Sequence, residues 1–159
     1  MSDKKSKRFY KAIPQQLLDE YLDLPPAKIY GPWLFELDAV AKERPRARRQ
    51  GNFTRIYTPN KTAQFEETLC NMFIAQNKGF TPIDAPLRVT ILIGKKIPKY
   101  KARKDVIYNS VKPDVDNYAK SILDALEGRL FVNDSRIFDL RVIKTYQETP
   151  IIILKVEEF

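Results

Sequence analysis

Alternating and clustered apolar residues predict four β-strands along the chain. In residues 33–40, apolar side chains occupy every second position, as expected for a strand with one buried face. Residues 87–93 form a run rich in β-branched side chains, which favours a second strand. Two further strands are predicted at 137–146 and 151–157, and the short link at 147–150 is typical of a hairpin.

Two segments have the apolar spacing of amphipathic helices. The first is predicted at 61–76, where Phe65, Leu69 and Phe73 would share one face. The second is predicted at 114–127 and ends before Gly128. The element order is therefore β-α-β-α-β-β. It predicts an α/β (α+β) fold in which two helices pack on a small mixed four-stranded sheet.

The first 32 residues differ from the rest of the chain. Residues 1–11 are a basic arm, and residues 15–24 have the spacing of a short amphipathic helix. Proline and glycine pairs then interrupt the pattern up to residue 32. We therefore divide the chain into an N-terminal appendage, 1–32, and one main domain, 33–159.

The charge balance indicates a polyanionic partner. The 159 residues include 28 Lys and Arg against 20 Asp and Glu, a net charge of +8. This excess favours nucleic acid first and an acidic membrane surface second. Two basic segments stand out, and arginine and lysine in such segments bind phosphates without reading sequence. The candidate DNA contacts in them are Lys42, Arg44, Arg46, Arg48, Arg49, Lys95, Lys96, Lys99, Lys101, Arg103 and Lys104.

Residue types that are absent restrict the chemistry. The chain has no histidine, which excludes Ser-His-Asp and Cys-His nucleophilic triads and histidine-ligated zinc. Its single cysteine, Cys70, excludes a thiolate zinc site and an intramolecular disulfide. No apolar run reaches 18 residues and no signal peptide is evident. We expect a cytoplasmic protein with no membrane association and no organic cofactor.

One face of the helix predicted at 114–127 is charged. At 3.6 residues per turn, Asp116, Lys120, Asp124 and Glu127 fall within a sector of about 80°. These charged residues could serve only to stabilise the helix. When the helix is considered without the rest of the chain, this structural interpretation is favoured. Asp114 would cap the helix, Asp116 would complement its dipole, and Asp116 with Lys120 would form an ordinary i, i+4 pair.

A third carboxylate follows the helix and adds a second interpretation. Asp134 lies in a polar turn after an apolar return of the chain. If that return folds back towards the helix start, Asp114, Asp116 and Asp134 would meet. Three clustered carboxylates repel one another unless a cation joins them, and Mg²⁺ prefers such oxygen ligands. That ion can activate water and stabilise charge on a phosphoryl group without any histidine.

These segments resemble the signature of RusA-type Holliday junction resolvases. The resemblance rests on Lys-Pro-Asp-Val-Asp-Asn-Tyr-Ala-Lys at 112–120, Leu-Asp-Ala-Leu-Glu-Gly at 123–128 and Asn-Asp-Ser-Arg-Ile at 133–137. The basic run at 42–49 also resembles that family, and the similarity spans about residues 33–157. One departure is Asn133, which replaces the first acid of an Asp-Asp pair.

The resemblance implies a set of site residues and a reaction. Asp114, Asp116 and Asp134 would bind Mg²⁺, with Mn²⁺ as the alternative ion. Lys120 would be the catalytic lysine, supported by Asp124 and Asn117. A homodimer would introduce paired, symmetric nicks into four-way DNA junctions during recombination and repair, by attack of metal-bound water on a backbone phosphate. A two-fold dimer suits the two equivalent scissile phosphates of a junction.

Two alternatives remain open from the sequence. The chain could be a non-catalytic basic protein that binds DNA or RNA and uses its carboxylates only to cap a helix. It could also be a nuclease that acts on other branched or single-stranded DNA. Retention of cleavage after Asp134→Asn would exclude the carboxylate–metal mechanism.

Overall fold

The computed structural model describes residues 22–44, 46–57, 59–99 and 107–159. The elements in chain order are β1 (Lys28–Phe35), β2 (Arg46–Gln50), β3 (Phe53–Tyr57), α1 (Asn60–Gln76), β4 (Leu87–Lys96), α2 (Val115–Leu126), a 3-10 turn (Asp134–Arg136), β5 (Ile137–Gln147) and β6 (Ile151–Glu158).

Four of these strands form one mixed sheet. Its spatial order is β1-β6-β4-β5, with β4 parallel to β5 and antiparallel to β6. Strand β1 is an edge strand and pairs antiparallel with β6. The two helices and this small mixed sheet confirm the predicted α+β fold. No helix in the described ranges has the length and apolar character needed to cross a membrane.

The predicted hairpin between the last two strands is wrong. Strands β5 and β6 lie on opposite sides of β4, so the link at 148–150 passes across the end of β4. Gly94 makes room for this crossing: a Cβ there would lie 2.5 Å from Gln147 Cγ and 2.7 Å from Ile151 Cγ1. A short link between two strands usually predicts a hairpin, and nothing local to 147–150 signals that a third strand intervenes.

A second small sheet occupies the basic segment for which no strand was predicted. Strands β2 and β3 pair antiparallel from Arg46–Tyr57 to Gln50–Phe53. The turn begins at Gly51, whose φ of 64° favours glycine at the first position of a two-residue hairpin turn. The run of arginines obscured the alternation that normally identifies a strand. Phe53, at the tip, is 81% exposed.

Strand β1 begins five residues before the predicted start at Trp33. Gly31 and Pro32 were interpreted as a break, but the strand accommodates them as a register shift between Tyr30 and Trp33. An edge strand tolerates proline because one side of its backbone lacks ladder partners. The proposed division at residue 32 therefore falls inside β1. The predicted arm at 1–11 and most of the helix at 15–24 lie outside the described residues.

The core lies between the sheet and the two helices. Phe65, Leu69 and Phe73 of α1 are buried, as the spacing predicted. Strand β4 is central in the sheet, and its alternate residues Leu87, Val89, Ile91 and Ile93 are fully buried. Helix α2 packs against both α1 and β5. This packing fixes the charged face of α2 relative to β5 and the chain that precedes it.

Candidate active site

Helix α2 begins next to the first candidate carboxylate. Asp114 occupies the N-cap position with extended backbone angles (φ −69°, ψ 151°), as the sequence predicted. Its carboxylate makes no capping hydrogen bond, which corrects the structural interpretation of this residue. Asp116 follows in the first turn and is exposed.

The loop before the helix is held by one lysine of β5. The ammonium group of Lys144 donates to the carbonyl oxygen of Pro113 at 2.6 Å and also to that of Val111. The backbone N–H of Asn109 donates to the carbonyl oxygen of Lys144 at 3.0 Å. These bonds connect the loop to the sheet, so the position of Asp114 is set by β5 and not only by its own helix.

The segment that returns from α2, which we call the return loop (residues 127–133), is also connected to the fold. The backbone N–H of Ile83 donates to Leu130 at 3.0 Å, and that of Val132 donates back to Ile83 at 3.0 Å. Phe131, between them, is fully buried. The return loop therefore has a defined path that leads to Asp134.

Asn133 makes contacts that suit an amide better than an acid. Its Nδ2 donates to Glu127 Oε1 at 2.9 Å, while its Oδ1 accepts from the N–H of Ser135 at 3.0 Å. An aspartate at this position would place a second negative charge against Glu127. The same Glu127 oxygen accepts from the backbone N–H of Asp134 at 3.3 Å. The departure from the family pattern at Asn133 thus has a local structural reason.

A pocket of about 300 Å³ brings candidate residues from both sides of the return loop together. We call it the acidic pocket, and it is lined by Asp116, Ala119, Lys120, Leu123, Asp124, Asp134 and Leu140. Asp114 is not part of its wall. Among the described residues, no group of three or more metal-ligating side chains is arranged to hold an ion.

The carboxylates in the acidic pocket are nevertheless suited to Mg²⁺. Within the described ranges, the carboxylates of Asp114, Asp116 and Asp134 have no hydrogen-bond or ion-pair partner. Mg²⁺ usually keeps several waters and binds through one or two carboxylates together with substrate phosphate. Asp116 and Asp134, which share the acidic pocket, match that requirement. Asp114 lies two residues before Asp116 and is the remaining candidate ligand.

Lys42 connects the segment that follows β1 to both helices. Its ammonium group lies 2.6 Å from Glu66 of α1 and 2.8 Å from Asp124 of α2, and its side chain is only 19% exposed. The backbone N–H of Lys42 donates to the carbonyl oxygen of Asn117 at 2.8 Å. Asn117 therefore contributes to this contact through its main chain and not through its side chain. The sequence predicted that Lys42 contacts DNA and that Asp124 supports Lys120. Asp124 does share the acidic pocket with Lys120, but its ion pair is with Lys42. The distance in sequence between Lys42 and Asp124 explains why no local pattern revealed this pair.

Lys95 is similarly committed within the fold. Its ammonium group donates to Asp38 and to the carbonyl oxygen of Ala39, and it lies 5.5 Å from the centre of the Tyr118 ring. Burial raises the pKa of Tyr118, and the negative charge of Asp38 raises it further. Lys95 therefore stabilises the segment before Lys42, and we leave both lysines out of the proposed DNA contacts.

The other predicted DNA contacts fall into three groups. Arg44, Arg49, Lys96 and Lys99 are exposed. Arg46 and Arg48 lie in β2, where their backbone pairs with β3. Lys101, Arg103 and Lys104 lie outside the described residues. Their role at DNA stays a prediction.

The ion pairs of Lys42 predict an alkaline loss of stability. Burial alone would lower the pKa of Lys42, but hydrogen bonds and attraction from Asp124 and Glu66 outweigh it and raise that pKa above its ordinary 10.5. Such a lysine stabilises the folded state fully below pH 10.5 and loses this effect as pH rises through the folded pKa. We expect wild type to be more stable than Lys42→Met by a constant margin from about pH 7 to 9. The difference in stability between the two proteins should become smaller above pH 10.5.

Urea unfolding of both proteins across this pH range checks the expectation. A margin that stays constant through the alkaline range would contradict it. Lys42→Arg keeps the positive charge and serves as the control, because its guanidinium group stays protonated throughout.

Comparison with known families finds a match over most of the chain. The sequence model described as Endodeoxyribonuclease RusA matches residues 36–157, a range that contains α2, the return loop and the acidic pocket. The protein is therefore an endodeoxyribonuclease. More specifically, it belongs to the RusA family, a family of Holliday junction resolvase nucleases.

The chain is also similar to a bacterial protein described as "Uncharacterized protein YqaN" from Bacillus subtilis (strain 168). The two are 29% identical over 130 residues, which cover 76% of this chain and 91% of that protein. The similarity thus extends over nearly the whole of the relative.

Proposed function

We propose that this protein is a Mg²⁺-dependent endonuclease that resolves four-way DNA junctions by paired, symmetric nicks. The observation that carries the proposal is the acidic pocket, where Asp116 and Asp134 line one cavity with Lys120. Two converging carboxylates beside a lysine, in a family of junction nucleases, suit hydrolysis of a phosphodiester.

Asp116 and Asp134, with Asp114, are the proposed ligands of the ion, and Mn²⁺ is the alternative to Mg²⁺. When bound, the ion activates a water molecule and offsets negative charge on the phosphate. The carboxylates need such a cation, because their own charge would otherwise repel the DNA backbone. The connection of the return loop to Ile83 supports this assignment, since it fixes the chain that carries Asp134.

Lys120 is the proposed catalytic lysine. It is exposed, lines the acidic pocket and has no ion-pair partner among the described residues. Because Lys42 already pairs with Asp124, that carboxylate does not need Lys120 as its counter-ion. The Lys120 ammonium group can therefore stabilise the charge that develops on the phosphate as water attacks.

The proposed assembly is a homodimer that acts in DNA recombination and repair in the cytoplasm. A four-way junction has two-fold symmetry, and two equivalent scissile phosphates require two equivalent sites. A dimer with a two-fold axis supplies one acidic pocket for each cut strand.

The test is incubation of the purified protein with a synthetic four-way junction or a linear duplex of the same sequence. We expect two symmetric nicks in the junction with Mg²⁺, none with chelator, and no cutting of the duplex. Junction binding without cleavage under every metal condition would instead favour a non-catalytic DNA-binding protein. Cutting of flaps or single strands in preference to the junction would favour a nuclease of other branched DNA.

A further inference from the structure

A second pocket, of about 570 Å³, opens beside the start of α2. We call it the basic pocket. Among the described residues, five lysines and two carboxylates line it, so its charge is opposite to that of the acidic pocket. Two of the lysines, Lys42 and Lys95, already pair with carboxylates of the fold.

The other three lysines of the basic pocket are Lys61, Lys96 and Lys112. All three are exposed, and within the described ranges none of their ammonium groups has a hydrogen-bond or ion-pair partner. They come from α1, the end of β4 and the loop before α2, which are distant in sequence. Three unpaired positive charges around one cavity repel one another, and an anion relieves that repulsion.

Two of these lysines lie on backbone that is already fixed. Lys112 lies between Val111 and Pro113, whose carbonyl oxygens both accept from Lys144. Lys61 lies in the first turn of α1, where the positive end of the helix dipole adds to its charge. The basic pocket therefore needs little rearrangement to receive an anion.

The two pockets adjoin along one helix. Asp116 lines the acidic pocket, and the next residue, Asn117, lines the basic pocket. Because adjacent residues of α2 line the two pockets, a strand whose scissile phosphate lies at the acidic pocket can place a nearby phosphate at the basic pocket.

We infer that the basic pocket binds a backbone phosphate of the strand being cut, close to the scissile phosphate. This inference rests on the proposed function and assigns Lys61 and Lys112, in addition to Lys96, as phosphate contacts. With the scissile phosphate at the acidic pocket and a second phosphate at the basic pocket, the strand is fixed in position and direction along α2.

The first test measures binding of a four-way junction in chelator, so that cleavage plays no part. The triple variant Lys61→Gln, Lys96→Gln, Lys112→Gln should bind the junction roughly tenfold more weakly than wild type. The slope of log K against log salt concentration should be less steep than that of wild type by about one. Lys78→Gln is the matched control, because Lys78 is an exposed lysine just beyond the other end of α1. Its slope should equal that of wild type.

The second test replaces single phosphates near the cut with uncharged methylphosphonates. Wild type should lose affinity when the phosphate in the basic pocket is neutralised, and the triple variant should be insensitive at that position only. A triple variant with the wild-type salt slope, or with full sensitivity at every position, would overturn the inference while leaving the proposed function intact. Failure of wild type to bind junctions at all would overturn both.

Discussion

Asp134→Asn is expected to abolish cleavage of four-way junctions while leaving junction affinity unchanged or higher. The substitution keeps the size of the side chain and removes one of the two proposed metal ligands, Asp116 and Asp134, that line the acidic pocket. A metal ion that stabilises charge on a phosphoryl group contributes several kcal/mol, so its loss should slow cleavage about a thousandfold or more. Affinity should not fall, because removing a negative charge near DNA reduces repulsion.

Single-turnover cleavage with Mg²⁺ and binding in chelator measure the two effects separately. Asp23→Asn is the matched control, since Asp23 is exposed and precedes β1. It should cut at the wild-type rate. Cleavage by Asp134→Asn at a rate close to wild type would exclude this carboxylate as a metal ligand.

Phe131→Ala is expected to cause the largest loss of stability among single changes near the site. Phe131 is fully buried at the centre of the return loop, between the residues that bond to Ile83. Truncating a buried phenylalanine to alanine removes apolar contacts and leaves a cavity, at a cost of about 3–5 kcal/mol. The free energy of unfolding, measured in urea, should fall by that amount.

Val132→Ala is the control for this prediction, because Val132 is the next residue and is 47% exposed. Its cost should be well below that of Phe131→Ala. Equal costs for the two variants would mean that the return loop is not packed as described. The return loop leads directly to Asp134. If Phe131→Ala lets this loop open locally, Asp134 leaves its position in the acidic pocket and cleavage should also fall.

Local periodicity was enough to predict most of the elements. Both helices and β4, β5 and β6 lie within a few residues of their predicted bounds, because a buried face leaves a repeating apolar pattern. The spatial order of the strands was not predictable in this way. The separation of β5 from β6 depends on the crossing at Gly94, and the β2–β3 hairpin was obscured by its arginines.

The candidate site also contains one part that local spacing predicts and one part that depends on contacts between distant residues. Asp116, Lys120 and Asp124 share a helix face, so their spacing alone placed them together. The position of Asp134 depends on bonds between the return loop and Ile83, which no pattern near Asp134 reveals. The pairing of Lys42 with Asp124 likewise joins residues that are far apart in sequence.

The antiparallel pairing of β1 with β6 makes the chain suitable for circular permutation. The backbone N–H of Ala27 donates to the carbonyl oxygen of Glu158 at 2.7 Å, so the start of the first strand and the end of the last lie side by side. A short linker could join them, with new ends opened at the exposed turn around Gly79. Such a circular permutant would keep every strand pairing of the sheet, and its new ends would lie at a residue that lines neither pocket.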